Sequence, residues 1–260
     1  MTMKLASWNV NSLKVRLPQV LAWLEQQEPD VLGLQETKLP DDRFPCETLR
    51  EAGYHAVFSG QPTYNGVALL ARTEPEDVVT DPEGLEDEQR RIIAATVDGV
   101  RVINLYVVNG KAVGSDKYEY KLDWLERVTR WIGSEMQRYS RVAVMGDFNI
   151  APGDADVHDP EAWHERILCS TPEREALQKM LDLGLNDSLR LFPDQGPVFS
   201  WWDYRQAAFR RNLGLRIDLV LLSEGLAKGC SASHIDTEPR AWERPSDHAP
   251  AVAELDPITG

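Results

Sequence analysis

What most constrains this chain is a series of short apolar runs, each stopped within a few residues by glycine, proline, asparagine or an acid. Residues 4–10, 31–34, 54–59, 66–71, 92–97, 101–106, 142–145, 219–222 and 249–255 all read this way and predict short strands. Two longer segments carry the helical period instead. Leu13, Leu17, Val20, Leu21 and Leu24 share one face, and Tyr118, Leu122, Leu125, Ile132 and Met136 form the stripe of a helix over 117–138. A further helix opens with Thr171 as N-cap, Pro172 at the first helical position and Glu173 in the first turn, and stops at Gly184. Helices flanking this many strands predict an α/β fold with two sheets packed face to face and helices outside. No Pro/Ser-rich or low-complexity tract divides the chain, so residues 1–260 read as one domain of two similar halves, about 1–115 and 116–260.

A chain of 260 residues can bury a core without staples. Its three cysteines, Cys46, Cys169 and Cys230, are far apart and odd in number, which predicts no disulfide framework and a reducing, cytoplasmic setting. The start runs straight into a strand with no leader pattern, and no apolar stretch is long enough to span a bilayer. Secretion, membrane insertion and a zinc module are excluded on these grounds. The formal net charge of −14 argues against a nucleic-acid partner, but the charge is lumpy. Residues 74–88 carry many acids and no base, and read as a solvated loop facing away from substrate. Residues 205–216 carry Arg205, Arg210, Arg211 and Arg216 with no acid between them, which leaves room for a local basic surface.

The acids fall at informative places. Glu36 and Asp147 follow apolar runs, at strand C-terminal ends; Asp218 and Asp247 precede them, at strand N-terminal ends. In antiparallel pairs those ends share an edge, so the four carboxylates can converge. With Asn9 and Asn149 nearby they make a hard-oxygen site suited to Mg²⁺ or Mn²⁺. Such a site polarises a phosphoryl oxygen and helps to generate a nucleophilic water.

The motifs Trp8-Asn9-Val10-Asn11-Ser12, Leu34-Gln35-Glu36-Thr37-Lys38, Gly146-Asp147-Phe148-Asn149, Trp201-Trp202-Asp203-Tyr204-Arg205, Gly214-Leu215-Arg216-Ile217-Asp218 and Ser246-Asp247-His248-Ala249-Pro250 occur in this order along the chain. The series resembles that of the exonuclease III family of AP endonucleases, within the endonuclease/exonuclease/phosphatase superfamily. The resemblance implies a four-layered αββα sandwich of two mixed β-sheets flanked by helices. It also implies a Mg²⁺-dependent (or Mn²⁺-dependent) DNA repair nuclease, cutting at abasic sites with 3′–5′ exonuclease and 3′-phosphodiesterase activity, in base-excision repair. Its partner would be duplex DNA with abasic sites or blocked 3′ ends, and the protein would be a monomer. Glu36 resembles the principal metal carboxylate, with Asn9 and Asp247 completing or supporting the ion. Asp147 resembles the residue that orients and deprotonates water or holds a second ion, and Asn149 the amide that fixes that aspartate and the scissile phosphate and belongs to the metal set. His248, paired with Asp218, resembles the imidazole that contacts the phosphoryl oxygen or the metal, and Tyr106 the tyrosine near the leaving oxygen. Trp201 matches a wall of the pocket for a base-less sugar, with Leu215 and Ile217 as its other walls. Arg91, Asn109, Lys117, Tyr204, Arg205 and Arg210 are the candidate DNA contacts, joined by Arg90, Lys111 and Arg211.

The chain departs from the family pattern after Tyr106, where it reads Val107-Val108-Asn109-Gly110 and many members place a proline before the amide. The segment 150–170 is the flank placed to tune exonuclease against endonuclease activity. Two other readings compete. One is a phosphoesterase of the same fold acting on inositol phosphates or lipids, or a nonspecific DNase. The other is a noncatalytic nucleic-acid-binding relative, which would have lost the metal carboxylate and the Asp–His pair kept here.

Overall fold

The computed structural model describes residues 2–85, 87–192 and 196–257, so Glu86 of the acidic run lies outside the described residues. The elements are β1 (Met3–Asn9), α1 (Leu13–Gln27), β2 (Val31–Gln35), α2 (Cys46–Glu51), β3 (His55–Ser59), β4 (Val67–Ala71), β5 (Glu76–Val79), β6 (Ile92–Val97) and β7 (Val100–Tyr106). There follow α3 (Asp116–Arg138), β8 (Val142–Asp147), α4 (Pro160–Trp163), α5 (Thr171–Leu181), β9 (Leu185–Asp187), β10 (Asp218–Ser223), α6 (Glu224–Ala227), β11 (Cys230–Ile235) and β12 (Ala251–Leu255). They build two six-stranded mixed sheets, ordered β11-β12-β1-β2-β4-β3 and β5-β6-β7-β8-β10-β9.

Alternation along β1 explains the layering. Ala6, Trp8 and Val10 face α1, whose Leu13, Val20, Trp23 and Leu24 meet them, while Leu5 faces the other sheet. The second sheet is covered by α3 and α5 through Trp124, Leu125, Val128, Ile132, Leu177 and Met180. Four layers result, as the motifs imply. A buried polar link ties the sheets together: Gln35 Nε2 donates to Ser7 Oγ (3.0 Å) and Asn104 Oδ1 (2.6 Å). Asn104 in turn donates to the carbonyls of Leu34 and Ala68, both at 2.9 Å.

The two sheets repeat one pairing pattern. Along β12-β1-β2-β4-β3 the pairs are antiparallel, parallel, antiparallel and antiparallel, and β6-β7-β8-β10-β9 follow the same sequence. A division near residue 115 falls inside the second of these units, between β7 and α3.

Among the described residues three strands, β5, β9 and β11, carry no apolar run and escape the sequence reading, and all three sit at sheet edges and pair on one side. β5 lies within the acidic run, which is therefore partly an edge strand, and Asp87 further along accepts from the Tyr120 hydroxyl. Ser170, not Thr171, caps α5; Glu173 reaches back to accept from Ser170 N (3.1 Å) and Ser170 Oγ (2.6 Å), a capping box. Gly184 (φ 101°) stands two residues beyond the closing Asp182.

Candidate active site

Strand register assembles the centre. The antiparallel pair β8–β10 sets Asp147 opposite Asp218, and the parallel pair β7–β8 sets Tyr106 opposite Asp147. In the first sheet Asn9 lies opposite Gln35, one residue before Glu36. Gly146 is required at φ 151°, because a Cβ there would come within 2.0 Å of the Leu105 carbonyl oxygen. One ligand atom from each of Glu36, Asp147 and His248 lies within 4.8 Å of the others. This is an acidic site suited to holding a metal ion.

The loops carrying these groups are conformationally costly. Asn11 (φ 43°), Ser12 (φ 91°), Glu36 (φ 51°) and Asn149 (φ 50°) are all left-handed without being glycine, at roughly 1–3 kcal/mol each. Hydrogen bonds hold them there: Ser12 N donates to Glu36 O (2.8 Å), Asn11 N to Asn9 Oδ1 (3.0 Å) and Asn149 N to Asp147 Oδ1 (2.9 Å).

His248 is buried with its Nδ1 on Asp218 at 2.9 and 3.1 Å, and its Nε2 lies 3.8 Å from Asp147 Oδ2. Burial works against charge on this ring, but Asp218 and then Asp147 outweigh it and carry its pKa up to about 10. The neighbouring carboxylates thus favour the imidazolium, which suits the charge-stabilising role, and Nε2, turned to Asp147, is the nitrogen that a neutral ring would offer to an ion. Burial pushes Asp147 up to about 7; His248 opposes this and Asp218 adds to it.

Asn9 turns its amide nitrogen, not its oxygen, to the acids: Nδ2 donates to Glu36 Oε1 and Asp147 Oδ2, both at 2.9 Å. Since its oxygen is taken by Asn11 N, it bridges the carboxylates and, so oriented, is no metal ligand. Asn149 Nδ2 donates to Val107 O (2.9 Å) and Asp147 Oδ2 (3.3 Å), and its oxygen accepts from Asn109 Nδ2 (3.0 Å). It therefore orients Asp147 and does not offer a free oxygen to an ion. Asp247 is gripped by Trp201 Nε1 (3.0 Å) and Asn11 Nδ2 (3.0 Å), outside the three-residue cluster. Burial would raise its pKa, yet His248 and these two bonds outweigh it and hold it below the ordinary carboxylate value. Glu36 and Asp147 bring the charged oxygens of the cluster, a hard set that fits Mg²⁺ or Mn²⁺. Burial first, then Glu36 and Asp147, push the Tyr106 phenol well above its usual value, against the opposing Arg91, so it stays a proton donor.

The candidate DNA contacts divide sharply. Arg91 is buried, stacks on Tyr106 at 4.8 Å and donates to the Tyr106 carbonyl (3.2 Å), so it supports the tyrosine and is not a free phosphate contact. Arg216 is buried and bidentate to Asp187 (3.0 and 2.7 Å), with Asp156 on its Nε at 2.7 Å. Arg205 is exposed but paired to Asp203 at 2.6 Å, and Arg90 lies 3.4 Å from Asp81. The basic stretch thus reduces to Arg210 and Arg211, which are exposed, as are Tyr204, Lys111, Lys117 and Asn109. The Tyr204 hydroxyl donates to Pro245 O at 2.9 Å.

Two of the three expected walls of the sugar pocket are buried. Leu215 and Ile217 are 0% and 1% exposed and pack with Ala151, Val157, Leu168 and Cys169, while half-buried Trp201, Trp163 and Ile167 flank them and Trp201, Trp163 and Leu213 line a surface cavity. Leu168 takes φ 74°, a rare conformation for leucine. The segment 150–170 supplies this packing.

Sequence reading missed Ser200, whose buried hydroxyl accepts from Ile217 N and Asp218 N (3.0 Å each) and donates to Asp218 Oδ2 (2.6 Å). It missed Lys38 too, which lies 2.9 Å from Glu36 Oε2 and donates to Asn11 Oδ1 at 2.6 Å. Ser200 stands beside one quoted motif and Lys38 ends another, which was the only signal available.

Comparison with known proteins bears on this geometry. Residues 6–248 match the profile of the Endonuclease/Exonuclease/phosphatase family. Exodeoxyribonuclease III of Haemophilus influenzae is 39% identical, the match covering 97% of this chain and all (100%) of that protein. The 3′–5′ exonuclease NExo from Neisseria meningitidis superposes with a TM-score of 0.96 at 53% identity, covering 98% of this chain and 100% of that one. An AP endonuclease from Archaeoglobus fulgidus superposes at 0.94 with 39% identity, covering 98% and 99%. A structure of the Neisseria 3′ phosphatase NExo bound to a product DNA hairpin matches equally well, at 0.96 and 53% identity over 98% and 99%.

Proposed function

Since the chain belongs to the Endonuclease/Exonuclease/phosphatase family and is a hydrolytic DNA repair nuclease resembling exonuclease III, we propose that it hydrolyses the P–O3′ bond of duplex DNA at blocked 3′ ends, at 3′-terminal nucleotides and at abasic sites, leaving a 3′-hydroxyl. The observation that carries this reading is the meeting of Glu36, Asp147 and the Asp218-held His248 within a side chain's reach. We take residues 1–260 as one catalytic unit, working as a monomer in the cytoplasm. No helix among the described residues is long and apolar enough to cross a membrane.

Glu36 and Asp147 would hold Mg²⁺ or Mn²⁺, which when bound polarises the phosphoryl group and lowers the pKa of water. Asp147, its oxygens fixed by Asn9 and Asn149, is placed to take the proton of the attacking water. The His248 imidazolium, oriented by Asp218, donates to a phosphoryl oxygen as negative charge grows on it. Tyr106, neutral and braced by Arg91, offers its hydroxyl near the leaving O3′. Asn109, Lys111, Lys117, Tyr204, Arg210 and Arg211 would meet the backbone.

A second reading concerns the balance of activities. Burial of Leu215 and Ile217 narrows what an extruded abasic sugar can meet to Trp201 and the cavity beside it, which favours work at 3′ ends over incision at an internal abasic sugar. One experiment addresses both readings: turnover of a 3′-phosphate hairpin, an abasic duplex and an intact duplex, each in Mg²⁺ and in EDTA. Metal-dependent release at 3′ ends that vanishes in Glu36→Ala is expected; activity surviving that change would overturn the site.

A further inference from the structure

Behind the site lies a charged pair that the reaction scheme does not use. Lys121, on α3, is 0% exposed, and all three ammonium protons are spent. They go to Glu173 on α5, to the Asn149 carbonyl (2.7 Å) and to the Asn109 carbonyl (3.3 Å). Glu173, also fully buried, accepts in addition from Leu168 N (3.1 Å), Ser170 N (3.1 Å) and Ser170 Oγ (2.6 Å). Ser170 Oγ lies 2.8 Å from the Tyr118 hydroxyl. One ion pair therefore gathers the loop after β7, the loop after β8, the 168–170 turn and two helices.

The two carbonyls it holds belong to the two asparagines that reach the centre. Asn109 Nδ2 donates to Asn149 Oδ1, and Asn149 Nδ2 donates to Asp147 Oδ2. Asn149 is left-handed at φ 50°, so its side chain faces Asp147 only while its backbone is kept in that well. Gly110 packs against the same lysine: a Cβ there would come within 3.1 Å of Lys121 Cδ. The loop that lacks a proline is thus fixed from beneath by a charge.

A buried ion pair is poor value as stabiliser, because desolvation offsets the attraction and apolar replacements of both partners are often neutral or better. Here the pair sits where carbonyls, not apolar groups, must be met. We propose that Lys121, supported by Glu173, is a positioning residue for hydrolysis, setting Asn149 and Asn109 and through them the orientation of Asp147. This rests on the nuclease reading above.

The test compares the full-length protein with Lys121→Met, with Lys121→Met/Glu173→Met, and with each lysine change in an Asn149→Ala background. The paired apolar variant avoids the unpaired buried carboxylate that Lys121→Met alone would leave, and a cooperative melt of each variant precedes the kinetics. On a 3′-phosphate hairpin in Mg²⁺ we expect kcat to fall on the order of tenfold or more with KM for DNA within about twofold, as for a misoriented group. In the Asn149→Ala background the lysine change should cost almost nothing further. Hydrogen exchange of the amides at 148–151 should speed up while β8 and β10 stay protected, a readout that needs no activity. Unchanged kcat in the folded double variant, losses that multiply in the Asn149→Ala background, or unaltered exchange at 148–151 would each overturn the anchor. A wild type inert in Mg²⁺ would instead defeat the nuclease reading, and the exchange measurement would still decide the anchor.

Discussion

The acidic centre and the apolar cluster beneath Trp201 are built from overlapping loops and are both largely buried, yet they are held together differently. The centre is polar, so each group is held at a distance by hydrogen bonds: Asn9 spans Glu36 and Asp147, Asn149 steadies Asp147, Ser200 and His248 share Asp218. Such a network fixes positions by direction. The cluster is apolar, and Leu168, Val157 and Ala151 fill whatever Leu215 and Ile217 would otherwise expose, since an empty greasy cavity is unfavourable in water. Polar sites keep their spacing because directional bonds demand it; apolar ones pack against the nearest side chain.

The largest effect should come from the centre. Asp147→Asn keeps the size of the side chain and removes the base, and should lower kcat on a 3′-phosphate hairpin on the order of 10³-fold with little change in melting temperature. A loss under tenfold would mean that Asp147 is peripheral. Next is His248: replacing it with glutamine removes the buried cation and should lower kcat on the order of 10²-fold. Its titration sharpens the point. The folded pKa of about 10 exceeds the ordinary value, so protonation stabilises the fold fully below about pH 6.5 and that contribution fades as pH rises through about 10. In metal-free protein the His248 ring resonances should stay put from about pH 6 to 8.5, and Asp218→Asn should bring the titration back toward neutrality. A wild-type midpoint near 6.5 would refute the imidazolium.

The buried cluster is tested by opening it. Leu168→Gly suits φ 74° and removes a side chain packed there, so abasic incision should rise about tenfold relative to 3′ resection, on the scale of one or two apolar contacts in a pocket. Stability should fall by about 2 kcal/mol, the cavity term outweighing relief of backbone strain, as read by urea denaturation. An unchanged activity ratio would show that the cluster has no bearing on substrate choice. The smallest effect belongs to the surface: Arg210→Ala and Arg211→Ala should each weaken duplex binding about two- to threefold and flatten its salt dependence by about one phosphate contact. If wild-type binding were indifferent to salt, those arginines would not lie on the binding face.

Much of this was legible in residues 8–12, 34–38, 146–149 and 246–250. Asp147 and Asp218 each betray themselves by ending or opening an apolar run, and antiparallel pairing does the rest. Arg91 and Arg216 misled because a sequence shows charge but not burial: both are stems and guanidiniums packed inside, with partners supplied from elsewhere in the chain. Lys121 gave no sign at all, being one charged position in a helix that has many.

The sequence by itself determined the α/β class, the main strands and helices and the acids at strand ends, because turn residues and hydrophobic period act over a few neighbours. Only the tertiary structure decided that Asn9 turns its nitrogen inward, that His248 meets two carboxylates, that Leu168 packs into the cluster and that Lys121 grips two distant carbonyls. Each of those depends on which groups meet across long loops and on how every buried donor and acceptor is satisfied, which is a property of the whole packed molecule.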